Sequence, residues 1–534
     1  MKARQHEAPR SQPLRWLSGL DRPGGVRLLL LLVFGASLFV RCYGLAAQGL
    51  ECEELYTLPA ATGHQYVYLH AEPGGPAPPV PLRLHEYKQL LRPEAGHGFG
   101  QVTAVLARNV HLPFYFFLMH LWVRVAGTSE RALRLPSVLF SQLALLFLFL
   151  LGKELFTPWH GLLAALLLGL MPEQVYFAQQ ARMYPLLVLF AVATTYLLVR
   201  ARVRKLTAAL AAGYALLSVA GLYTHYEYIF LLAAQTCFVW FEPSLGRARW
   251  RAWLGLQLAI ALAFSPWLAV GLLQRQASPE VLAWVQGDLG PAALLAEGAT
   301  ELVKQIAVPD IFGGWLSVLL AVALLALGVR SLRGRRVPLL LLAAWIIAPL
   351  AGMLLLDQVL HAHAISITRY WLIITPALYL LMAAGVLRLS RPAWRLAAVL
   401  ALTLFLLPAA YWTGRGELRR KPDRHREMAR FIDQQAGAER PPTLLAEGVN
   451  SIPLALAYYG QVDATIIRHK WLLDQLAART FDEVLGGAQD VWVLVSGEGR
   501  IVRLLEENGY RRTSVQILFG HVLVSRYSKR NALT

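Results

Sequence analysis

Eleven apolar runs, separated by connections that alternate between strongly and sparsely basic, constrain this chain more than any other feature. They fall at about 26–43, 133–151, 160–171, 185–199, 206–222, 226–241, 252–273, 315–330, 338–356, 370–387 and 395–412. The first, Val26 to Tyr43, reaches about 27 Å at roughly 1.5 Å per residue, close to the hydrocarbon thickness of a bilayer. In a chain of 534 residues that is 56% hydrophobic and 16% charged, such runs predict a polytopic α-helical membrane protein. The first run is too long for a signal-peptide core, and no small-x-small cleavage site follows it, so it reads as a retained anchor.

The formal charge of +18 reports topology rather than a nucleic-acid partner. The basic residues concentrate in short clusters at Arg200–Lys205, Arg247–Arg251, Arg330–Arg336 and Arg388–Arg395. If His111–Val125 does not span, all four clusters share the side of the basic N-terminus, and if it spans, all four face outward. The positive-inside rule selects the first arrangement. His111–Val125 is then an interfacial amphipathic helix. The same parity puts 44–132, 172–184, 223–227, 274–314, 357–369 and everything after 412 on the outer face. Residues 1–25 read as a cytoplasmic tail, 26–412 as the transmembrane domain with 44–132 as its long first outer loop, and 413–534 as an outer domain. That loop carries a Pro/Gly linker, Glu72–Pro81, and a helical stretch, Arg83–Arg92.

In 413–534 the pattern changes to short buried strands at Thr443 and Val491, amphipathic helices at Lys470–Thr480 and Arg500–Tyr510, and two terminal strands within Ser514–Tyr527. This alternation predicts a small α/β domain. It contains no phosphate-binding glycine motif. The basic linker Arg415–Arg430 reads as helix-free, resting on lipid phosphates or lying near a substrate phosphate. Cys42, Cys52 and Cys237 form no disulfide framework; Cys42 and Cys52 read as small apolar fillers, with a pairing on an oxidising face as the alternative.

The outer loops hold the chemistry-bearing residues. Gly49–Thr57, where the first span leaves the lipid, carries Glu51, Glu53 and Glu54. Pro172–Tyr184 carries Glu173, Arg182 and Tyr184, and Tyr223–Tyr228 carries His225. His361–Tyr370 ends in Arg369, and Arg134 opens the second span. Ionisable groups at the ends of apolar helices avoid the bilayer centre, where each costs on the order of 3 kcal/mol. Gathered on one face, carboxylates and guanidiniums suit a base and a phosphate. A solvated helix end is the alternative for Glu53 and Glu54, as is a structural pairing of Arg182 with Glu173.

Five segments, taken in order, carry a resemblance: Leu50–Leu58, His111-Leu-Pro-Phe-Tyr-Phe-Phe-Leu-Met-His120, Ala132-Leu-Arg-Leu-Pro-Ser137, Gln179-Gln-Ala-Arg-Met-Tyr184 and Tyr223-Thr-His-Tyr226. Arg369-Tyr370 and Lys421-Pro-Asp423 extend it toward the C-terminus. Together they resemble the family-39-like membrane glycosyltransferases of the GT-C fold group, relatives of the protein O-mannosyltransferases and of the lipid A aminoarabinose transferase. The resemblance implies a bacterial cytoplasmic-membrane enzyme, with its active site and C-terminal domain on the outer, periplasmic face. It would move a sugar, with inversion, from a polyprenyl-phosphate donor to a lipid, glycan or protein acceptor. It also implies Glu53 and Glu54 as the catalytic carboxylates. Arg182, Arg369, Arg134 and His111 would be ligands of the donor phosphate, with His225 and Tyr184 nearby and membrane lipids as surroundings.

The chain departs from the family pattern at three positions. Glu53 stands where the family has Asp, which moves the carboxylate by about 1.5 Å, one C–C bond. Gln180 stands where the family has Glu, and Asn109 where it often has Asp. Hard cations need several oxygen ligands, usually carboxylates, so no metal ligand is assigned and a divalent metal stays open. Two other readings remain: a lipid-carrier flippase, and a non-catalytic homologue acting as an envelope scaffold. A flippase predicts charges within spans and paired broken helices, and the sequence shows few such charges and no internal repeat.

Overall fold

The computed structural model describes residues 23–64, 82–108, 110–203, 207–242, 247–277, 290–311, 313–418, 424–436, 442–447, 451–477, 479–495, 499–514 and 517–529. Residues 1–22 of the expected tail, the Glu72–Pro81 linker, Asn109 and Lys421–Asp423 lie outside them.

Each apolar run forms a helix. Among the described residues, seven helices are long and apolar enough to cross a bilayer: Gly24–Cys42, Glu130–Leu155, Tyr184–Val203, Trp250–Leu272, Gly314–Ser331, Arg336–Leu360 and Pro392–Gly414. The pair Pro158–Leu170 and Pro172–Ala178, bent by 62°, makes an eighth. The remaining runs form Ala208–Leu222, Tyr228–Phe241 and Thr375–Arg388. At 14 or 15 residues these reach about 22 Å, short of a hydrocarbon layer of about 30 Å. Length alone therefore gives seven or eight crossings, and eleven remains an expectation.

Small residues and buried polar groups set the helix packing. Gly328 and Gly385 bring the backbones of Gly314–Ser331 and Thr375–Arg388 together, because a Cβ on either would strike a carbonyl of the other helix. Arg41, buried at the end of the first helix, donates to Ser37 Oγ at 2.7 Å and to the carbonyls of Leu168, at 3.0 Å, and Gly169. A cation thus meets the negative C-terminal end of Pro158–Leu170, which fixes the bend that launches the 172–184 loop.

The first loop contains the helices Cys52–Thr62, Leu84–Leu90, Phe99–Leu106 and Pro113–Ala126. Pro113–Ala126 buries Tyr115, Phe116, Met119 and Val123 and leaves Leu121 and Val125 exposed. This one-sided pattern is what its sequence predicts.

The C-terminal region builds a seven-stranded sheet in the order β1-β3-β2-β4-β7-β5, with β6 against β7. The strands are β1 Leu82–Arg83, β2 Thr443–Glu447, β3 Thr465–Arg468, β4 Asp490–Val495, β5 Tyr510–Arg512, β6 Ile517–Phe519 and β7 Val522–Lys529. β2 runs parallel to β3 and β4, and the other pairs are antiparallel. β1 belongs to the first loop, so the sheet draws on residues well before 413. The basic linker is also not helix-free. Helix His425–Ala436 begins inside it and buries His425, Met428, Ala429 and Ile432, the i, i+3, i+4, i+7 pattern of an amphipathic helix. Arg426 on this helix does not rest on lipid: it donates to the carbonyls of Ala46, Ala47 and Gln48 and pairs with Glu130.

Candidate active site

The helix Cys52–Thr62 carries the acidic cluster, and the rest of the molecule holds its first turn. Glu54 reaches back to the Glu51 backbone N–H at 3.0 Å, the N3-to-N-cap half of a capping box. The Glu51 carboxylate accepts from the Tyr176 hydroxyl at 2.7 Å and from the Gln180 amide at 2.8 Å. Just before it, Leu50 donates its N–H to the Tyr459 hydroxyl at 2.6 Å and accepts from His425 Nδ1 at 3.1 Å. The C-terminal unit therefore grips the chain one residue ahead of the acids.

The three carboxylates have separate fates. Glu54 is fully buried. It takes Arg134 Nε at 2.8 Å and Nη2 at 2.9 Å, together with the Ala181 N–H at 2.9 Å. Arg134 donates its remaining N–H groups to the carbonyls of Leu45, Gln48 and Gly49. A fork-to-fork pair with every guanidinium donor committed is a structural pin, which leaves Arg134 no N–H for the phosphate role expected of it. Glu51, held by Tyr176 and Gln180, is a second pin.

Glu53 is different: its side chain is 36% exposed and faces two cations. Arg182 Nε lies 3.3 Å from Oε2, an ion pair without the alignment of a hydrogen bond, and Arg369 Nη1 lies 3.2 Å from Oε1. The Tyr184 hydroxyl donates to Oε2 at 3.3 Å, and both guanidiniums lie about 6 Å from the Tyr184 ring centroid. Burial pushes the Glu53 carboxyl up, but Arg182, Arg369 and Tyr184 outweigh it and hold the group below its ordinary value. Glu53 is therefore ionised. Arg182 pairs with Glu53 rather than Glu173, and it donates to His111 Nε2 at 2.7 Å. An imidazole that accepts there is neutral, so His111 orients Arg182. The Ser137 hydroxyl and Thr57 hold the 181–182 backbone, at 3.0 Å each.

His225 packs against Tyr184 and Tyr370. Burial, reinforced by Arg369 and Arg182, drives its pKa down to about 3, so it is neutral. Sequence reasoning passed over Glu227, two residues on. It is 5% exposed, with both carboxylate oxygens buried and, among the described residues, without a hydrogen-bond partner. Burial raises its pKa well above the usual carboxylate value despite Arg369, and its Oε2 lies 3.7 Å from His225 Nδ1 at the wall of the site. The available signal was an acid isolated between two apolar runs.

Glu53, Arg182, Arg369, Tyr184, His111 and His225 thus converge, and Glu54 and Arg134 sit behind them. Among the described residues, the one group of three His, Cys, Asp or Glu side chains close enough to share a metal ion is His64, Glu94 and His97, beyond the opposite end of the Glu53 helix.

The apolar helical body, with a C-terminal sheet that takes in a strand of the first loop, has the fold of solved proteins that share little of its sequence. The family described as dolichyl-phosphate-mannose-protein mannosyltransferase matches residues 110–270. ArnT from Cupriavidus metallidurans in the apo state superposes with a TM-score of 0.57 at 13% identity, over 94% of this chain and 98% of that one. The same protein bound to undecaprenyl phosphate gives 0.56 at 14% identity with the same coverage. The apo oligosaccharyltransferase of Archaeoglobus fulgidus gives 0.52 at 12% identity, over 89% of this chain and 70% of that one. These likenesses show the fold. No curated protein matches the sequence.

Proposed function

We propose that this chain is an integral-membrane glycosyltransferase that moves a sugar from a polyprenyl-phosphate donor to an acceptor outside the cytoplasm, with Glu53 as the base. The observation that carries the reading is the half-exposed Glu53 carboxylate between Arg182 and Arg369. In the reaction the acceptor hydroxyl gives its proton to Glu53 as its oxygen bonds the anomeric carbon. The bond from that carbon to the phosphate oxygen breaks, and the polyprenyl phosphate leaves with the electron pair. Attack opposite the leaving group inverts the anomeric centre. A phosphate is already a good leaving group, so a positioned base is the main chemical need, worth about 10²–10⁴-fold.

Arg182 and Arg369 receive the phosphate, with His111 orienting Arg182 and Tyr184 stacked between them. Before the donor arrives the two arginines hold Glu53 as a poor base. A donor phosphate draws them off, the Coulombic terms that depress the Glu53 pKa weaken, and the carboxylate becomes basic as the substrate binds. Glu54 and Arg134 hold the helix and take no part in the chemistry. ArnT has been crystallised with undecaprenyl phosphate, which supports a lipid-phosphate donor on this fold. The test supplies radiolabelled sugar–polyprenyl-phosphates to membranes with and without the protein. Label transfer that depends on the protein supports the reading, and no transfer from any such donor overturns it.

A further inference from the structure

At the far end of the Glu53 helix the chain builds a second cluster. Gly63 caps the helix with φ +79°, a conformation that favours glycine. A Cβ there would also stand 3.4 Å from His97 Cβ and Nδ1. The turn sends His64 back toward Glu94 and His97. His64 Nε2 lies 3.3 Å from Glu94 Oε2, and His97 Nε2 lies 3.4 Å from the same oxygen. All three ligand atoms lie within 4.8 Å of one another.

The far nitrogen of each ring fixes its tautomer. His97 Nδ1 is 3.0 Å from the Thr62 carbonyl, which only accepts, so Nδ1 carries the proton. His64 Nδ1 is 2.9 Å from Thr62 Oγ1. That hydroxyl spends its one proton among the carbonyls of Leu90, Leu58 and Pro59, so it accepts from His64. With both Nδ1 atoms donating away from the cluster, each ring turns its Nε2 onto the same Glu94 oxygen, so that three metal-ligating atoms face one point. Arg124 reinforces the frame by donating to the backbone carbonyls of Glu94, at 3.0 Å, and His97.

We propose that His64, Glu94 and His97 bind one divalent ion of the zinc class through two Nε2 atoms and one carboxylate oxygen. Bonds of about 2.0–2.1 Å in tetrahedral geometry set neighbouring ligand atoms about 3.3 Å apart, the spacing that each nitrogen keeps from Glu94. Two imidazoles and one carboxylate suit zinc better than calcium or magnesium, and the Nδ1–H bonds to Thr62 are the outer shell that such ligands use. Glu94 is largely exposed, so the fourth position is open to water. The ion fastens the C-terminal end of the Glu53 helix to the 94–97 segment. It does not depend on the proposed sugar transfer.

The full-length protein, purified in detergent and stripped with a chelator, is titrated with Zn²⁺ alone by calorimetry and with Co²⁺ by visible absorption. The expected result is one equivalent per chain, a tetrahedral cobalt spectrum, and a rise in unfolding temperature on adding zinc. His97→Ala weakens binding by about 100-fold or more. Thr62→Val, which keeps all three ligands, weakens it by about 10–100-fold. No binding by the stripped wild-type protein overturns the proposal whatever the variants do, as does unchanged affinity in a folded His97→Ala protein, which would leave an imidazolium–carboxylate cluster.

Discussion

Glu53 and Glu54 are neighbours with opposite duties, and burial decides which has which. Glu54 and Arg134 are 0% and 2% exposed. Removing one partner of such a pair strands the other, at a cost of about 3–5 kcal/mol. Glu54→Gln should therefore lower the unfolding temperature sharply, whereas Glu53→Gln, at a carboxylate 36% exposed, should lower it far less; thermal unfolding in detergent checks both. Glu227 allows a test in pH. Its carboxyl titrates higher folded than unfolded, so the fold binds the extra proton, and its contribution is lost as pH rises above about 4.5 toward the folded pKa. Glu227→Gln should unfold at a higher temperature than wild type at pH 8, with the gap closing toward acid pH. Glu53 runs the other way: its pKa is depressed, so its ion pairs contribute fully above about 4.5 and fail as pH falls through the folded value. The sequence placed Glu53, Arg182 and Arg369 on one face but did not separate Glu53 from Glu54. Adjacent helical residues point about 100° apart, and only packing shows which direction is buried.

The helix Cys52–Thr62 and the loop Pro172–Tyr184 form one unit, and the substitution at 180 makes sense only there. Gln180 donates to Glu51 at 2.8 Å. A glutamate at 180 would set two carboxylates against each other, so an amide is the side chain that Glu51 accommodates there. Gln180→Glu should cost about 1–3 kcal/mol, and Glu51→Gln should restore most of the loss. A double-mutant cycle measured by unfolding reads that coupling. The pairing was invisible in one dimension, because 129 residues separate the partners. Helix His425–Ala436 was missed for another reason: its buried positions are few and stand among charged residues. The apolar helices were legible because membrane burial writes itself into long runs, whereas β3 and β5, at four and three residues, are too short to show a period.

Across the whole molecule the C-terminal sheet serves the first loop. β1 is lent by that loop, and Tyr459, His425 and Arg426 hold residues 46–50. The chain's outer loops and C-terminal unit thus converge on the first turn of one helix, which accounts for a candidate site drawn from residues as far apart as 53 and 369. This requires the loops and the C-terminal unit to share a side, which the positive-inside pattern predicts to be the outer one. Reporter fusions at Arg204 and Thr413 should report inside and outside respectively, and the reverse would overturn the assigned sidedness. The decisive comparison is sugar transfer from a labelled polyprenyl-phosphate donor by purified wild-type and Glu53→Gln protein, with unfolding temperature followed in parallel. A loss of about 10²–10⁴-fold in a variant that unfolds close to wild type, and well above Glu54→Gln, is the predicted result. Full transfer by Glu53→Gln would contradict Glu53 as the base.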